Sequence, residues 1–246
     1  MTSIPTEAIT AASRVGAVQD RIRTACDRVG RVASSVVLVA VSKTHSPEVV
    51  RAVFDAGVTE FGENRVRELL AKREAVPQAH WHHVGRLQSK KARLVAGRQI
   101  LVHSLDRRRL ADSLSRHAHD VRAVQRVLVQ VNVGDDPAKG GCPLDEVLDL
   151  LAYARNLPNL AVEGLMTMPP MPPDDVGVEA SRPIFAALRS LRDQARAQWP
   201  EVTHLSMGMS ADLEVAVEEG ATLVRVGTAL FGPRKPAPWQ PIGGSR

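Results

Sequence analysis

The chain has 246 residues, and 32 Lys and Arg against 27 Asp and Glu give it a formal net charge of +5. Its 44% hydrophobic and 24% charged residues are typical of a globular protein and exclude a disordered or collagen-like chain. No apolar run is long enough for a membrane span, and no secretory signal opens the sequence, so we expect a cytoplasmic protein with two reduced cysteines. The small net charge and 3% aromatic residues also argue against a nucleic-acid partner.

The chain begins with a predicted helix, from about Glu7 to Val29, and a first predicted strand follows it. That strand, Val36–Ser42, is a continuous apolar run, typical of a strand buried on both faces. A helix is predicted next over Pro47–Gly57, because Ser46 can cap its start, proline suits its first position and Gly57 suits its end. The two elements form one strand-then-helix unit.

Seven more units of this kind follow. The predicted strands are Thr59–Glu63, His80–Gly85, Ile100–Ser104, Val127–Val133, Ala161–Met168, His204–Met207 and Thr222–Val226. Of the helices after them, the first reaches Glu74 and the last is short and ends at Phe231-Gly232. The five helices between these two begin at Gln88, Asp106, Pro143, about Val178 and Ser210. Strands that alternate with helices predict a parallel sheet with right-handed crossovers.

Eight such units are the content of a closed (β/α)8 TIM barrel. The alternative, a doubly wound open sheet, usually carries a glycine-rich phosphate loop after its first strand, whereas this strand ends in Ser42-Lys43-Thr44. We therefore predict one α/β domain, a (β/α)8 barrel with an extra N-terminal helix, over residues 1–232. The Pro-rich tail, residues 233–246, is predicted to lie outside it.

Functional groups of such barrels lie at the C-terminal ends of the strands, and the first strand places Lys43 there. A lysine after an apolar run can be a structural residue, whose ammonium group forms a salt bridge or reaches the solvent. It can also be an amine whose pKa is lowered by burial. An uncharged amine can form a Schiff base with a carbonyl compound. The residue's position leaves both interpretations open.

Other strand ends carry polar side chains as well. They are Glu63 and Asn64, His80 and His82, His103 and Ser104, and Gln130 and Asn132. His80 and His82 share one face of their strand, which suggests a metal pair and a metal-dependent hydrolase. No further ligand cluster follows them, so histidines bonded to the backbone inside the core are favoured. The remaining groups predict a polar pocket without identifying its ligand.

The last two units suggest a phosphate site. Gly208 permits a close backbone approach, Ser210 is a candidate helix cap, and Gly227-Thr228 follows the last strand. Loops after strands seven and eight of such barrels commonly bind a phosphate through backbone amides, although ordinary turn glycines would look the same. A phosphate site opposite Lys43 suits pyridoxal 5′-phosphate (PLP), which carries both an aldehyde and a phosphate.

The motifs of the chain, in this order, resemble one known family. They are VAVSKT (Val39–Thr44), FGEN (Phe61–Asn64), WHHVGRLQSKK (Trp81–Lys91), VHSLD (Val102–Asp106), QVNV (Gln130–Val133), GLMTM (Gly164–Met168), SMGMSADLEVAV (Ser206–Val217) and VRVGTALFG (Val224–Gly232). Together they resemble the pyridoxal phosphate homeostasis proteins, relatives of the N-terminal barrel domain of alanine racemase. The resemblance runs from about the first helix to Gly232.

The resemblance implies a role for six residues. Lys43 matches the lysine that holds PLP as a Schiff base, Arg225 matches an arginine facing the pyridine nitrogen, and Asn64 lies where the family lines the pocket of the ring. Ser206, Gly227 and Thr228 match the phosphate-binding positions.

The sequence departs from the family pattern in the third unit, where Arg86 and Lys90 replace an expected proline and asparagine. These changes put any ligand contact of that loop in doubt. They also lengthen a basic run from Arg86 to Arg93, which we interpret as a solvated face in preference to a partner surface.

Two functions share such a site: a protein that binds and delivers PLP, and an amino-acid racemase. A racemase needs a second acid or base opposite the lysine, and in alanine racemase a tyrosine from an added domain supplies it. Here the chain ends about 14 residues after the last motif, Tyr153 is predicted on an outer helix, and Cys142 is interpreted as a structural thiol. An arginine at the pyridine nitrogen would also weaken the ring as an electron sink, since a guanidinium cannot accept a hydrogen bond.

We therefore expect a non-catalytic or weakly catalytic PLP-binding protein in the homeostasis of PLP and amino acids, with a PLP-dependent racemase as the alternative. Apo forms of PLP-dependent enzymes are candidate recipients of the cofactor. Without the second domain of the racemase, we expect a monomer.

Overall fold

The computed structural model describes residues 6–136, 140–170 and 177–232. Eight parallel strands form a closed barrel in chain order, which confirms the predicted (β/α)8 fold. The strands are β1 (Val37–Val41), β2 (Glu60–Glu63), β3 (His80–His83), β4 (Ile100–Leu105), β5 (Gln125–Gln130), β6 (Leu160–Met166), β7 (His204–Ser206) and β8 (Leu223–Val226). The predicted tail, residues 233–246, lies outside the described residues.

Helices surround the barrel. They are α1 (Thr6–Arg28), α2 (Pro47–Asp55), α3 (Val66–Ala75), α4 (Arg108–Asp120), α5 (Val147–Arg155), α6 (Arg182–Gln198), α7 (Leu213–Glu218) and α8 (Thr228–Phe231). Short 3₁₀ segments precede β1, α5 and α6. None of the described helices is both long and apolar enough to cross a bilayer.

The helix predicted from Gln88 is instead a short 3₁₀ segment, Ser89–Leu94. Its basic residues have no acidic partner one helical turn away, so nothing offsets their mutual repulsion in an α-helix. Only Ala92 of the segment is buried, which leaves it little packing energy as well. Ser46 and Pro47 occupy the predicted first positions of α2, and Gly57 follows its end with a φ of 99°.

The apolar core has two layers. The larger layer lies between the sheet and the helices and contains Phe61 and Trp81, whose ring centroids are 5.6 Å apart. The smaller layer fills the barrel itself with five side chains: Val39, Leu101, Leu128, Met166 and Leu223. Because side chains alternate along a strand, the residues two positions from these also face the interior, and several of them are polar.

Candidate functional site

The structure brings most of the predicted site to the barrel mouth, by which we mean the edge where the strands end. Lys43 follows β1 by two residues, Arg225 lies in β8, and Gly227 and Thr228 come directly after β8. Strands β1 and β8 are neighbours, with Val39 paired to Arg225. A Cβ on Gly227 would lie 3.3 Å from the carbonyl oxygen of Val41. The lysine and the Gly-Thr turn are therefore adjacent around the barrel.

The segment that carries Lys43 is held firmly on both sides. Thr44 has a φ of 71°, a left-handed conformation that is costly for a β-branched residue. Its backbone N–H donates to Oε2 of Glu68 at 3.1 Å. The next residue, His45, stacks on Phe231 of α8 with ring centroids 5.0 Å apart. The contacts fix the loop that presents Lys43 and join it to the helix after β8.

A buried ion cluster lies behind this segment. The Lys72 ammonium, which is fully buried, donates to Oε1 of Glu63 at 2.5 Å and to the carbonyl oxygen of Ser42 at 2.7 Å. The Ser42 hydroxyl donates to the same Glu63 oxygen at 2.6 Å, and Oε2 of Glu68 lies 3.7 Å from Lys72 Nζ. Burial raises the pKa of Glu63, although Lys72 opposes that shift. The cluster connects α3 to the residue before Lys43.

Glu63 ends β2 as predicted, but the expectation that its carboxylate contributes to a pocket at the mouth was wrong. Its side chain lies on the same face of β2 as Phe61, which packs in the outer core. The glutamate therefore points towards α3, where Lys72 meets it. The spacing of Glu68 and Lys72, four residues apart on one helix, was the available signal for such a pair.

Arg225 and Ser206 form a hydrogen-bonded pair inside the barrel. The guanidinium donates to Ser206 Oγ at 2.5 Å and to the carbonyl oxygen of Thr167 at 2.8 Å. Burial lowers the pKa of Arg225 to about 10, which still leaves it protonated at neutral pH. The Ser206 hydroxyl also meets Nδ1 of His103 at 2.9 Å and is fully buried. Its predicted phosphate contact stays a prediction.

Ser210 lies at the Gly-Thr turn, where its Oγ accepts the backbone N–H of Ala229 at 3.3 Å. Its expected role as a helix cap was wrong, since α7 begins at Leu213 with Asp212 in the cap position. Gly208 packs closely on α7, since a Cβ there would come within 2.4 Å of Ala216 Cβ, and a close approach of its backbone to a phosphate stays a prediction. Sequence analysis thus missed a hydroxyl next to the predicted phosphate site, although it lies in the same motif.

Asn64 follows β2 and its side chain is exposed at the mouth. Its backbone packs so closely on the next unit that a Cβ on Gly85 would lie 2.5 Å from the Asn64 carbonyl oxygen. The predicted contact with the ring pocket stays a prediction.

The histidines predicted as a metal pair hydrogen-bond to a carboxylate. Oε1 and Oε2 of Glu60 lie 2.6 Å from His80 Nδ1 and 2.7 Å from His82 Nε2. His82 also contacts His103, with 2.8 Å between Nδ1 and Nε2. The expectation of histidines bonded to the backbone was therefore wrong. Over the described ranges, no group of three or more His, Cys, Asp and Glu side chains could hold a metal ion.

The candidates for a second acid or base are not available at the mouth. The Tyr153 hydroxyl donates to Asp112 of α4 at 2.5 Å, on the outer surface. Cys142 is buried, and burial raises the pKa of its thiol to about 11. Both positions agree with the sequence analysis.

The loop after β3, whose sequence departs from the family pattern, lines a surface cavity of about 530 Å³. Arg86, Lys90 and Arg109 contribute exposed cationic side chains to it. Arg107 donates to the carbonyl oxygen of Leu87 at 3.0 Å and is also paired with Asp106. The basic run is thus partly a solvated face, as predicted, and partly the wall of this cavity.

Buried His83 predicts a dependence of stability on pH. Burial, and next the charge of Lys91, lower the pKa of His83 to about 4. In the unfolded chain a histidine titrates near its ordinary value of about 6.5. Between these values the unfolded state binds a proton that the folded state rejects, so the free energy of unfolding should fall as the pH drops. The expected slope is up to about 1.4 kcal/mol per pH unit for this group.

Urea denaturation at several pH values from 7 to 4 would measure this slope. Replacing His83 with Phe fills the same space and removes the titrating group, so its slope should be shallower than that of the wild type. Nδ1 of His83 has no hydrogen-bond partner in the described part of the chain, so the substitution leaves no described group unpaired. Equal slopes for the two proteins would contradict the assignment.

Several known proteins are similar to this chain in sequence and in fold. The family model for the N-terminal domain of alanine racemase matches residues 15–235. A pyridoxal phosphate homeostasis protein of Aquifex aeolicus is 46% identical over 230 residues, which cover 92% of this chain and 99% of that protein. The Escherichia coli K12 protein of the same name is 37% identical over 229 residues, or 91% and 96% of the two chains. A structure of PipY from Synechococcus elongatus with PLP bound has 33% identity and a TM-score of 0.77, covering 90% of this chain and 100% of that one.

Proposed function

We propose that this chain, which belongs to the pyridoxal phosphate homeostasis proteins of the alanine racemase N-terminal domain family, binds PLP through a Schiff base on Lys43. In this role it takes up and releases the cofactor in the intracellular homeostasis of PLP and amino acids, without efficient catalysis. The observation that carries the proposal is the convergence of an amine, a guanidinium and a hydroxyl-lined turn at adjacent strands of one barrel mouth.

The chemistry of these groups fits the cofactor. The Lys43 amine can condense with the aldehyde, forming a C=N bond and releasing water. Ser210, Gly227 and Thr228 surround the start of α8, where a hydroxyl and backbone amides suit a phosphate. Arg225 lies in β8, the strand next to β1, and is paired with Val39. We assign it to the pyridine nitrogen. We assign Asn64 to the ring pocket and Ser206 to the support of Arg225.

The same groups favour a carrier over a racemase. Bound PLP supplies an electron sink whose strength depends on protonation of its ring nitrogen. The protonated Arg225 can only donate to that nitrogen, which keeps the nitrogen unprotonated. Tyr153 lies on the outer helices and the Cys142 thiol stays protonated, so neither serves as a second base. We further propose that the protein is a cytoplasmic monomer whose recipients are apo forms of PLP-dependent enzymes.

The first experiment is to titrate the purified protein with PLP, record its visible spectrum, reduce it with borohydride and map the modified peptide. We expect a yellow protein with one reduced adduct, at Lys43. Incubating the loaded protein with single amino-acid enantiomers then separates the two functions: a carrier leaves the enantiomer unchanged, whereas efficient racemisation would support the alternative. A protein that stays colourless and unmodified would refute the proposal.

The phosphate assignment predicts a difference between two serines. Ser210→Ala removes a hydroxyl at the Gly-Thr turn and should weaken PLP affinity on the order of ten-fold, because a hydrogen bond to a charged group is lost. It should weaken the affinity for PLP far more than for pyridoxal, which lacks the phosphate. Ser206→Ala is the matched control and should affect both ligands equally, since that hydroxyl bonds Arg225. If Ser206→Ala instead weakens the affinity for PLP far more than for pyridoxal, Ser206 is the residue that contacts the phosphate.

A further inference from the structure

A line of polar groups crosses the interior of the barrel. It runs from Arg225 in β8 through Ser206, His103 and His82 to Glu60 at the start of β2. Successive donor and acceptor atoms are 2.5, 2.9, 2.8 and 2.7 Å apart. Glu60 lies at the N-terminal end of its strand, opposite the mouth, and the proposed function assigns no role to it or to the two histidines.

The two ends of this line restrict the direction of the hydrogen bonds in it. Arg225 can only donate, so Ser206 Oγ accepts from it and can donate its own proton to Nδ1 of His103. At the other end an ionised Glu60 can only accept. Burial alone would raise the pKa of Glu60, but the hydrogen bonds and charges of His82 and His80 together outweigh it and lower that pKa, so the carboxylate is ionised at neutral pH.

A line of hydrogen bonds that runs one way from Arg225 to Glu60 requires one proton on each imidazole between them. His103 is fully buried, which lowers its pKa well below the ordinary value and keeps it neutral. With Nδ1 accepting from Ser206, the proton of His103 is on Nε2 and is donated to Nδ1 of His82. His82 then carries its proton on Nε2 and donates it to Glu60. With the protons in these positions, all four bonds point from the guanidinium to the carboxylate.

Arg225 needs such support because of its surroundings. Within the described ranges, no carboxylate forms an ion pair with its guanidinium, and the acceptors of its hydrogen bonds, Ser206 and Thr167, are both neutral. Asp212 acts on it only over a longer distance. A buried cation with neutral partners depends on how well those partners are oriented.

We propose that His103 and His82 are positioning residues, which orient the Ser206 hydroxyl and connect Arg225 to its distant counter-charge, Glu60, through a one-way chain of hydrogen bonds. The consequence for PLP rests on the proposed function, because Arg225 is the group assigned to the pyridine nitrogen. The chain of hydrogen bonds itself is present in the protein without cofactor. Its direction can therefore be tested separately.

The direct test is NMR of the imidazole nitrogens in nitrogen-15-labelled full-length protein at neutral pH, without added PLP. We expect both His82 and His103 to be neutral with the proton on Nε2. A proton on Nδ1 of either ring, or a doubly protonated ring, would overturn the chain whatever the protein binds.

Variants then test the positioning role. His103→Phe keeps the ring but cannot accept from Ser206 or donate to His82, so PLP affinity should fall on the order of ten-fold and the spectrum of the bound cofactor should shift. His103→Gln restores one acceptor and one donor and should return both readouts towards wild type. His83→Phe, the matched loss of a buried histidine outside the chain, should leave the tautomer of His82 and the cofactor spectrum unchanged.

These outcomes separate the two proposals. If His82 and His103 of the wild type both carry the proton on Nε2 but the protein takes up no PLP, the proposed function is refuted and the chain of hydrogen bonds is supported. A protein that binds PLP with equal affinity and an identical spectrum in the wild type and in folded His103→Phe would refute the positioning role. Equal losses in His103→Phe and His83→Phe would also refute it, since the loss would then be one of packing.

Discussion

Replacing Lys43 with Ala is expected to abolish the borohydride-stable PLP adduct. The substitution removes the amine that forms the C=N bond. The neighbouring amine, that of Lys72, cannot replace it because it is fully buried, donates to Glu63 and Ser42 and forms an ion pair with Glu68. PLP should still bind weakly through the phosphate turn. The measurement is mass spectrometry of the reduced protein, together with the loss of the visible absorbance of the bound cofactor.

Lys91→Ala is the matched control, since Lys91 is an exposed lysine of the basic run. It should keep a full adduct at Lys43 and an unchanged spectrum. If Lys43→Ala still gives one adduct at one defined lysine, the assignment of Lys43 is wrong. If the adduct is lost equally in both variants, the basic run takes part in capture of the cofactor.

The barrel could be predicted because its strands are buried on both faces. Such strands appear as short apolar runs, and β1 coincides with its predicted run, Val36–Ser42, to within one residue at each end. Helix types were less predictable: the segment after β3 has an apolar spacing that suggested an α-helix, but its uncompensated charges leave it as a 3₁₀ segment. The local sequence pattern therefore predicts the position of an element more reliably than it predicts whether a helix is α or 3₁₀.

The site could be predicted only in part, because alternation gives the face of a side chain and not its partner. His80 and His82 were correctly placed on one face of β3, yet the groups they meet, Glu60 and His103, come from other strands. Ser206 and Ser210 belong to one motif, and only the folded chain shows that one faces the interior and the other the turn. Pairings between distant segments are set by barrel closure.

Lys72→Met is expected to destabilise the protein by about 3–5 kcal/mol, because it leaves the buried carboxylate of Glu63 without its cation and removes one of the two cations beside Glu68. The carbonyl oxygen of Ser42 also loses its donor, so the segment before Lys43 should loosen. Urea denaturation gives the free energy of unfolding. Hydrogen exchange of the Thr44 amide, which donates to Glu68, reports on the local change.

Two controls keep this prediction testable even if the single variant folds poorly. Adding Glu63→Gln to Lys72→Met removes one buried charge with its partner, so the double variant should be more stable than the single one. Arg126→Met breaks an ion pair with Glu163 in which the arginine side chain is 50% exposed, and it should cost less than about 1 kcal/mol. If Lys72→Met costs no more than Arg126→Met, the buried cluster does not stabilise the fold. The segment that presents Lys43 must then be held by Thr44, His45 and α8 alone.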